Sequence, residues 1–471
     1  MIARRGRRVA PSIVIPWDGT EAMDRIRRKV IAGVGAALGA PALIARAYAQ
    51  NAAWEKDVRA KHAGTELRVL AISHPATDAM RAMSPEFERA TGMKVTWEVI
   101  GSSDIMAKQS LAHTAGDSSY DVYMVRGTSL AEYDAKRMLT DLSPLLKDSQ
   151  ATPANYDFDD IHPAYRQGLG LHEGKVLGVP IAGETFFIAY RKDLFDKYRR
   201  AAPDTTEQLL ETAAFFQNRE PGLYGIAMRA QTGRTLALSW TLLTPAFGGG
   251  IIDQKTWDVT ITSPATLASL DYFLALLKNA PPDIETYSWD AAASAFASGK
   301  TAMWFDATSL QPWLVDPTKS KVVDKLAYAP PPKGPKGRYG PVGGWSLGLP
   351  AKPRNRDAGW AFIVWMTSKE HARENAEKGG VPSRVSLLTD PKFVAHDPSF
   401  AKAMKESLDA ASNLLAIGER WVPPTSEATK IQQIAGQYAG QALLGKMTAK
   451  EALAAAAPEL EQISQRIKKK S

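Results

Sequence analysis

The chain carries 471 residues, more than one compact core usually holds, so two domains are expected. Its net charge of +8 is uneven: residues 1–49 hold nine Lys/Arg against three acids, +6 of the total, which leaves +2 for the remainder. A body that close to neutral argues against a nucleic-acid partner, and zero cysteines exclude thiol catalysis, Cys-ligated zinc and iron–sulfur clusters.

The first segment has the build of an export signal. In "MDRIRRKVIAGVGAALGAPALIARAYAQ", Arg27 and Arg28 precede a Gly/Ala-rich apolar run, Val30 to Ala45, and Ala47-Tyr48-Ala49 is a small-x-small cleavage pattern. That run is 16 residues long, short of the about 20 strongly apolar residues a membrane span needs. The paired arginines resemble the twin-arginine signal. Lys29-Val30-Ile31 follow its pattern loosely, so general secretion stays open. Met23 is an alternative start. The expectation is a periplasmic protein cleaved after Ala49.

In the mature chain, "TELRVLAIS" reads as a buried strand over Leu67–Ile72, followed by an amphipathic helix carrying Met80, Met83 and Phe87 and stopped by Gly92. "MKVTWEVI" is a second strand, "SDIMAKQSLAHTAG" a helix, "YDVYMVRG" a third strand and "SLAEYDAKRML" a helix. This alternation predicts a parallel sheet covered on both faces, with ligand at the carboxyl ends of its strands. The loops there, "SHPATD", "GSSD" and "RGTS", are small, polar and hydroxyl-rich. "KVLGVPIAGETFFIAYRKDLF" is an extended run suited to leaving one lobe for another. "LAYAPPPKGPKGRYGPVGGWSLGLP" and "VPSRVSLL" are further crossings. Between them "YGIAM" and "TAMWF" supply strands and "TEQLLETAAFF" and "ATLASLDYFLALLKN" helices.

Gly299-Lys300-Thr301 in "ASGKTAMWFDAT" imitates the end of a phosphate-binding loop. The second glycine that such a loop requires is replaced by Ser294, and the flank is an Ala-rich helix rather than a strand. The segment reads as helix, glycine stop and strand, delivering Trp304 and Asp306 to the strand's end.

Taken together, "HPATDAM" with "PEFERATGMKVTW", "YDVYMV", "LGVPIAGETFFIAYRKDLF", "SGKTAMWFDAT", "GGWSLGLP" before "GWAFIVWMTSKE", and "GGVPSRVSLL" resemble the extracellular solute-binding proteins of ABC importers. The likeness is to the carbohydrate, maltose-binding-protein-like type, and within it to sugar and polyol binders. It runs from about Thr65 to the C-terminus. It implies the α/β, two-lobed type II periplasmic binding protein fold, with a hinge of crossing strands and the ligand between the lobes. Lobe one is expected over 54–180 plus 332–383, and lobe two over 181–331 plus 384–471. The implied partners are a small carbohydrate or polyol and an ABC permease. A monomer without cofactor or metal is expected.

A sugar presents hydroxyls and apolar C–H faces, so its site needs carboxylates, amides or arginines together with aromatic planes. Trp345 leads the aromatic candidates, given backbone freedom by Gly343 and Gly344; core packing is its rival reading. Asp306 is a carboxylate ending an apolar strand, with helix capping as the rival, and Trp304 should share its side. Glu184 falls in the first crossing, where the resemblance supports a hydroxyl acceptor and a hinge salt bridge is the alternative. Arg384 follows the third crossing. His74, Asp78, Ser102, Ser103, Asp104, Arg126 and Thr128 occupy the strand-end loops, Asp78 also being placed to cap a helix. Trp240 completes the set, while Trp97, Trp360 and Trp365 are assigned to packing. Two rival functions share this cleft. An exported glycosidase or lyase would use Glu184 and Asp306 as carboxylates about 5–10 Å apart, and a periplasmic sensor would present its ligand to a membrane receptor.

Overall fold

Two mixed sheets, each with its own apolar core, make up the body of the chain. The computed structural model describes residues 40–102 and 104–469, with side chains from residue 51 onward. Met23, Arg27, Arg28 and Ser103 lie outside the described residues. The helix Ala40–His62 runs through the expected cleavage pattern, and residues Asn51–Ser471 form one unit. Among the described residues no helix is long and apolar enough to cross a membrane.

The strands, in chain order, are β1 (Glu66–Ile72), β2 (Lys94–Ile100), β3 (Val122–Arg126), β4 (Leu171–His172), β5 (Lys175–Val176), β6 (Val179–Glu184), β7 (Phe186–Arg191), β8 (Tyr224–Ala227), β9 (Thr301–Ala307), β10 (Leu326–Ala329) and β11 (Gly343–Gly348). The first sheet has the order β2-β1-β3-β11-β6. Its first three strands are parallel, as their helical connections require, whereas β11 runs antiparallel to both neighbours. The parallel pairing expected of the alternating strands holds for these three, and β11, arriving from the second sheet, adds an antiparallel member. The second sheet has the order β10-β7-β9-β8. The pair β4 and β5 is a separate short ribbon.

Local chemistry explains the strand ends. The helix Pro75–Thr91 begins at His74, whose Nδ1 accepts the Ala76 N–H at 3.1 Å, and stops at Gly92 in the left-handed region at φ 73°. Met80, Met83 and Phe87 are buried on its inner face with Trp360 and Trp365, and Trp97 packs against the same core. Gly299, at φ 85°, ends the helix Trp289–Ala297 and lets β9 begin, so the helix–stop–strand reading of that segment holds.

One residue, Thr185, separates β6 in the first sheet from β7 in the second. The change of sheet thus falls after Glu184, slightly beyond the 180/181 boundary expected. Thr185 is tied to the end of β9: its N–H donates to Thr308 Oγ1 at 3.1 Å, and its carbonyl accepts the Thr308 N–H at 2.9 Å. Residues 330–342 return the chain from β10 to β11. Near residue 384 it leaves again, fastened by the His162 N–H to the Ser383 carbonyl at 2.9 Å.

Candidate ligand-binding site

The sheet ends converge on Glu184, the last residue of β6. Its carboxylate is buried, accepts the Ser309 hydroxyl at 2.9 Å from just past β9, and lies 3.2 Å from His74 Nε2. Because His74 Nδ1 is already accepting from Ala76, the ring donates through Nε2. Burial pushes the Glu184 carboxyl up, but the His74 hydrogen bond, the charge of Arg229 and the Ser309 hydroxyl outweigh it and hold the group below the usual range. On its other side His74 stacks on Trp289, ring centroids 6.3 Å apart, and Trp289 stacks on Trp313 at 5.5 Å. A strand-end residue of lobe one is therefore covered by the aromatic wall of lobe two.

A second charged pair stands beside this one. Asp306 is fully buried in β9 and takes both arms of the Arg229 guanidinium, Nε at 2.7 Å from Oδ2 and Nη2 on Oδ1. Burial opposes the charge on Arg229, and Asp306 more than restores it. The guanidinium lies 5.9 Å from the ring centres of both Phe186 and Trp421. Trp421 packs edge-on to Phe186 at 4.7 Å and donates Nε1 to the Leu238 carbonyl at 3.1 Å.

Arg126, at the end of β3, forms the third group. It donates to the Ser102 carbonyl, and its guanidinium sits 5.3 Å over the Trp345 ring, across the β3–β11 pairing. Trp345 itself is 7% exposed, so it holds Arg126 from beneath more than it faces solvent. Gly344 makes this possible. At φ 125°, a Cβ there would fall 2.0 Å from the Ala182 carbonyl oxygen. A Cβ on Gly343 would meet the Trp421 ring at 3.0 Å and the Glu184 carboxylate at 3.3 Å, so backbone, ring and carboxylate close on one spot. Thr128 is half-buried in an adjoining pocket lined also by His172, Val342, Arg420 and Trp421.

Other expected residues lie elsewhere. Trp240 and Trp304 are fully buried in the second core, which corrects their assignment to the cleft. Trp240 donates to Ser269 Oγ at 2.9 Å, and Trp304 packs between Phe187 and Phe296. Arg384 is also corrected. It is 1% exposed, donates to the carbonyls of Thr367 and Asp157 at 2.8 Å each and pairs with Asp160 at 3.3 Å, pinning the third crossing to lobe one. Asp78 is exposed in the first helical turn, where His74 has the capping place. Asp104 is exposed at the start of the helix Ile105–Thr114 without a side-chain cap bond.

Sequence reasoning missed Arg229, Ser309, Trp289 and Trp421. Arg229 stands two residues past β8, so the strand-end rule used for lobe one would have found it. Trp421 sits in a loop, "GERWVPPT", with no local signal.

The sequence pattern of bacterial extracellular solute-binding proteins matches residues 73–373. The chain belongs to that family. Among the relatives of this solute-binding protein, a probable amino-acid ABC transporter periplasmic-binding protein of Sinorhizobium fredii is 27% identical over 79% of this chain and 84% of its own. A mannitol-binding protein of Pseudomonas aeruginosa is 28% identical over 83% of this chain and 91% of its own. The crystal structure of an ABC transporter solute-binding protein from Agrobacterium radiobacter, in complex with ribitol, superposes with a TM-score of 0.78 at 26% identity, covering 85% of this chain and 99% of that one. These likenesses span both sheets of the chain.

Proposed function

We propose that this solute-binding protein is a periplasmic receptor for a small polyol or monosaccharide, which it clasps between its lobes and delivers to an ABC permease. The observation that carries this reading is the meeting of Glu184, the Arg229–Asp306 pair and Arg126 where the two sheets join. Charged groups make the stronger hydrogen bonds to hydroxyls. A dense set of them, with Trp421 as the adjoining aromatic, suits a short polyhydroxy compound better than a long oligosaccharide. The mannitol-binding relative and the ribitol complex support the same class. Closure follows from differential affinity: ligand touching both half-sites binds the closed form more tightly and so populates it.

Catalysis is disfavoured by the state of the carboxylates. A glycosidase needs one acid that keeps its proton. Glu184 is held below the ordinary carboxylate range, and Asp306 is spent on the Arg229 fork.

The test is to express residues 50–471, strip bound ligand by unfolding and refolding, and record melting temperature against polyols, sugars and sugar acids. A ligand at ~100 times its dissociation constant adds about 2.7 kcal/mol. A shift with the compound recovered unchanged supports the receptor. Conversion to product establishes an enzyme, and silence across the panel overturns the polyol and sugar reading.

A further inference from the structure

Three arginines lie near one another by the junction of the two sheets, and only one is matched with a carboxylate. Arg229 is matched by Asp306 on both arms. Arg126, from lobe one, has a carbonyl and the face of Trp345. Arg234, from lobe two, begins the helix Arg234–Trp240 and donates Nε to Gln432 Oε1 at 3.0 Å. Among the described residues, neither Arg126 nor Arg234 has an ion pair within 4.0 Å, although both are partly buried.

The acids nearby are committed elsewhere. Glu184 serves His74 and Ser309. Glu132, which faces both arginines, pairs with Lys136 at 2.8 Å and accepts the Thr429 hydroxyl at 3.2 Å. Thr429 and Gln432 are one turn apart on the helix Ala428–Leu443, so Glu132 of lobe one and Arg234 of lobe two meet on the same stretch of helix. That contact places Arg234 against the lobe-one wall that carries Arg126. Burial first, and then the charges of Arg126 and Arg229, bring Arg234 down to about 9. Like charges therefore share a partly buried space, which is costly unless an anion joins them.

We propose that the cargo is an acidic polyol, a short polyhydroxy chain ending in a carboxylate, with Arg126 and Arg234 holding the carboxylate from opposite lobes and the Glu184 and Asp306 side taking the hydroxyls. This rests on the polyol-receptor reading and narrows it. A guanidinium fork matches the two oxygens of a carboxylate, and a charged pair is stronger than any bond a neutral hydroxyl offers there.

The experiment compares matched pairs on the stripped protein: ribitol with ribonate and mannitol with mannonate, by calorimetry. The carboxylate of at least one pair is expected to bind at least tenfold tighter than its polyol. In Arg234→Gln that ratio should fall at least fivefold, and Arg234→Lys, which keeps the charge, should retain part of it. If Arg234→Gln fails to fold, the wild-type ratio decides alone. If in neither pair the carboxylate binds at least tenfold tighter than its polyol, while ligand still binds, the acidic cargo is overturned and the receptor reading stands. If neither member of either pair binds, both readings are overturned for these compounds.

Discussion

Asp306 and Arg229 meet fork to fork at the end of β9, the carboxylate fully buried and Arg229 Nε 2.7 Å from Oδ2. Removing one partner of such a pair strands the other charge in a poorly solvated place. Asp306→Asn should therefore cost about 3–5 kcal/mol in urea unfolding. The double variant Arg229→Met with Asp306→Leu should regain most of that loss, since the buried charge goes with its partner. It should not regain ligand binding, because the hydroxyl partners are gone. Recovery of both stability and binding would show the pair to be structural only.

Gly344 leaves no room for a side chain between β11 and β6. Its φ of 125° is strained for any other residue, and a Cβ would fall 2.0 Å from the Ala182 carbonyl oxygen. Gly344→Ala should destabilise by about 1–3 kcal/mol through backbone strain. By pushing β11 from β6 it should also move Trp345 and the Arg126 above it. Thermal unfolding and ligand titration read the two effects, and a variant with unchanged affinity would detach the glycine from the site.

Much of this was legible because strand ends are local. The hydrophobic runs located β1, β2 and β3, and the polar loops after them led to His74 and Arg126. Depth was harder to read. Trp304 and Asp306 are two residues apart and share a face of β9, yet the ring packs in the core while the carboxylate reaches Arg229. Alternation fixes the face of a strand but not where along it packing gives way to cleft. Arg384 failed for another reason. Its partners Asp157 and Asp160 are more than 200 residues away in sequence, and spacing cannot show that contact. Trp421 was missed on the same ground, since its neighbours Phe186 and Gly343 are brought to it only by tertiary packing.

Trp421 and Trp240 separate binding from packing. Trp421 borders Arg229 and the Gly343–Glu184 corner, so Trp421→Ala should weaken ligand by about tenfold, the scale of a lost aromatic and cation–π contact. Trp240 is enclosed in the second core and bonded to Ser269. Trp240→Phe should cost about 1–3 kcal/mol of stability through the lost hydrogen bond and volume, with affinity unchanged. Calorimetric titration of both variants is the check, and reversed effects would return Trp240 to the cleft.

His371 gives a pH signature of its own, outside the candidate site. It is 6% exposed, stacks on Trp365 with ring centroids 3.4 Å apart, and holds Ser368 Oγ at 2.9 Å through Nδ1. Glu86 and Glu374 bring ligand-type oxygens within 4.8 Å of a ring nitrogen. Burial outweighs the Trp365 backbone hydrogen bond and pulls the imidazole down from 6.5 to about 3. The unfolded chain therefore binds a proton that the folded chain refuses between those values. Stability from this group is complete above pH 6.5 and is lost as pH falls toward 3, at roughly 1.4 kcal/mol per pH unit. His371→Phe removes the proton site and should flatten that part of the profile. The measurement is unfolding free energy for both proteins at pH 7, 6, 5 and 4. Parallel profiles would mean that the folded imidazole titrates at its ordinary value and is not held neutral by burial against Trp365.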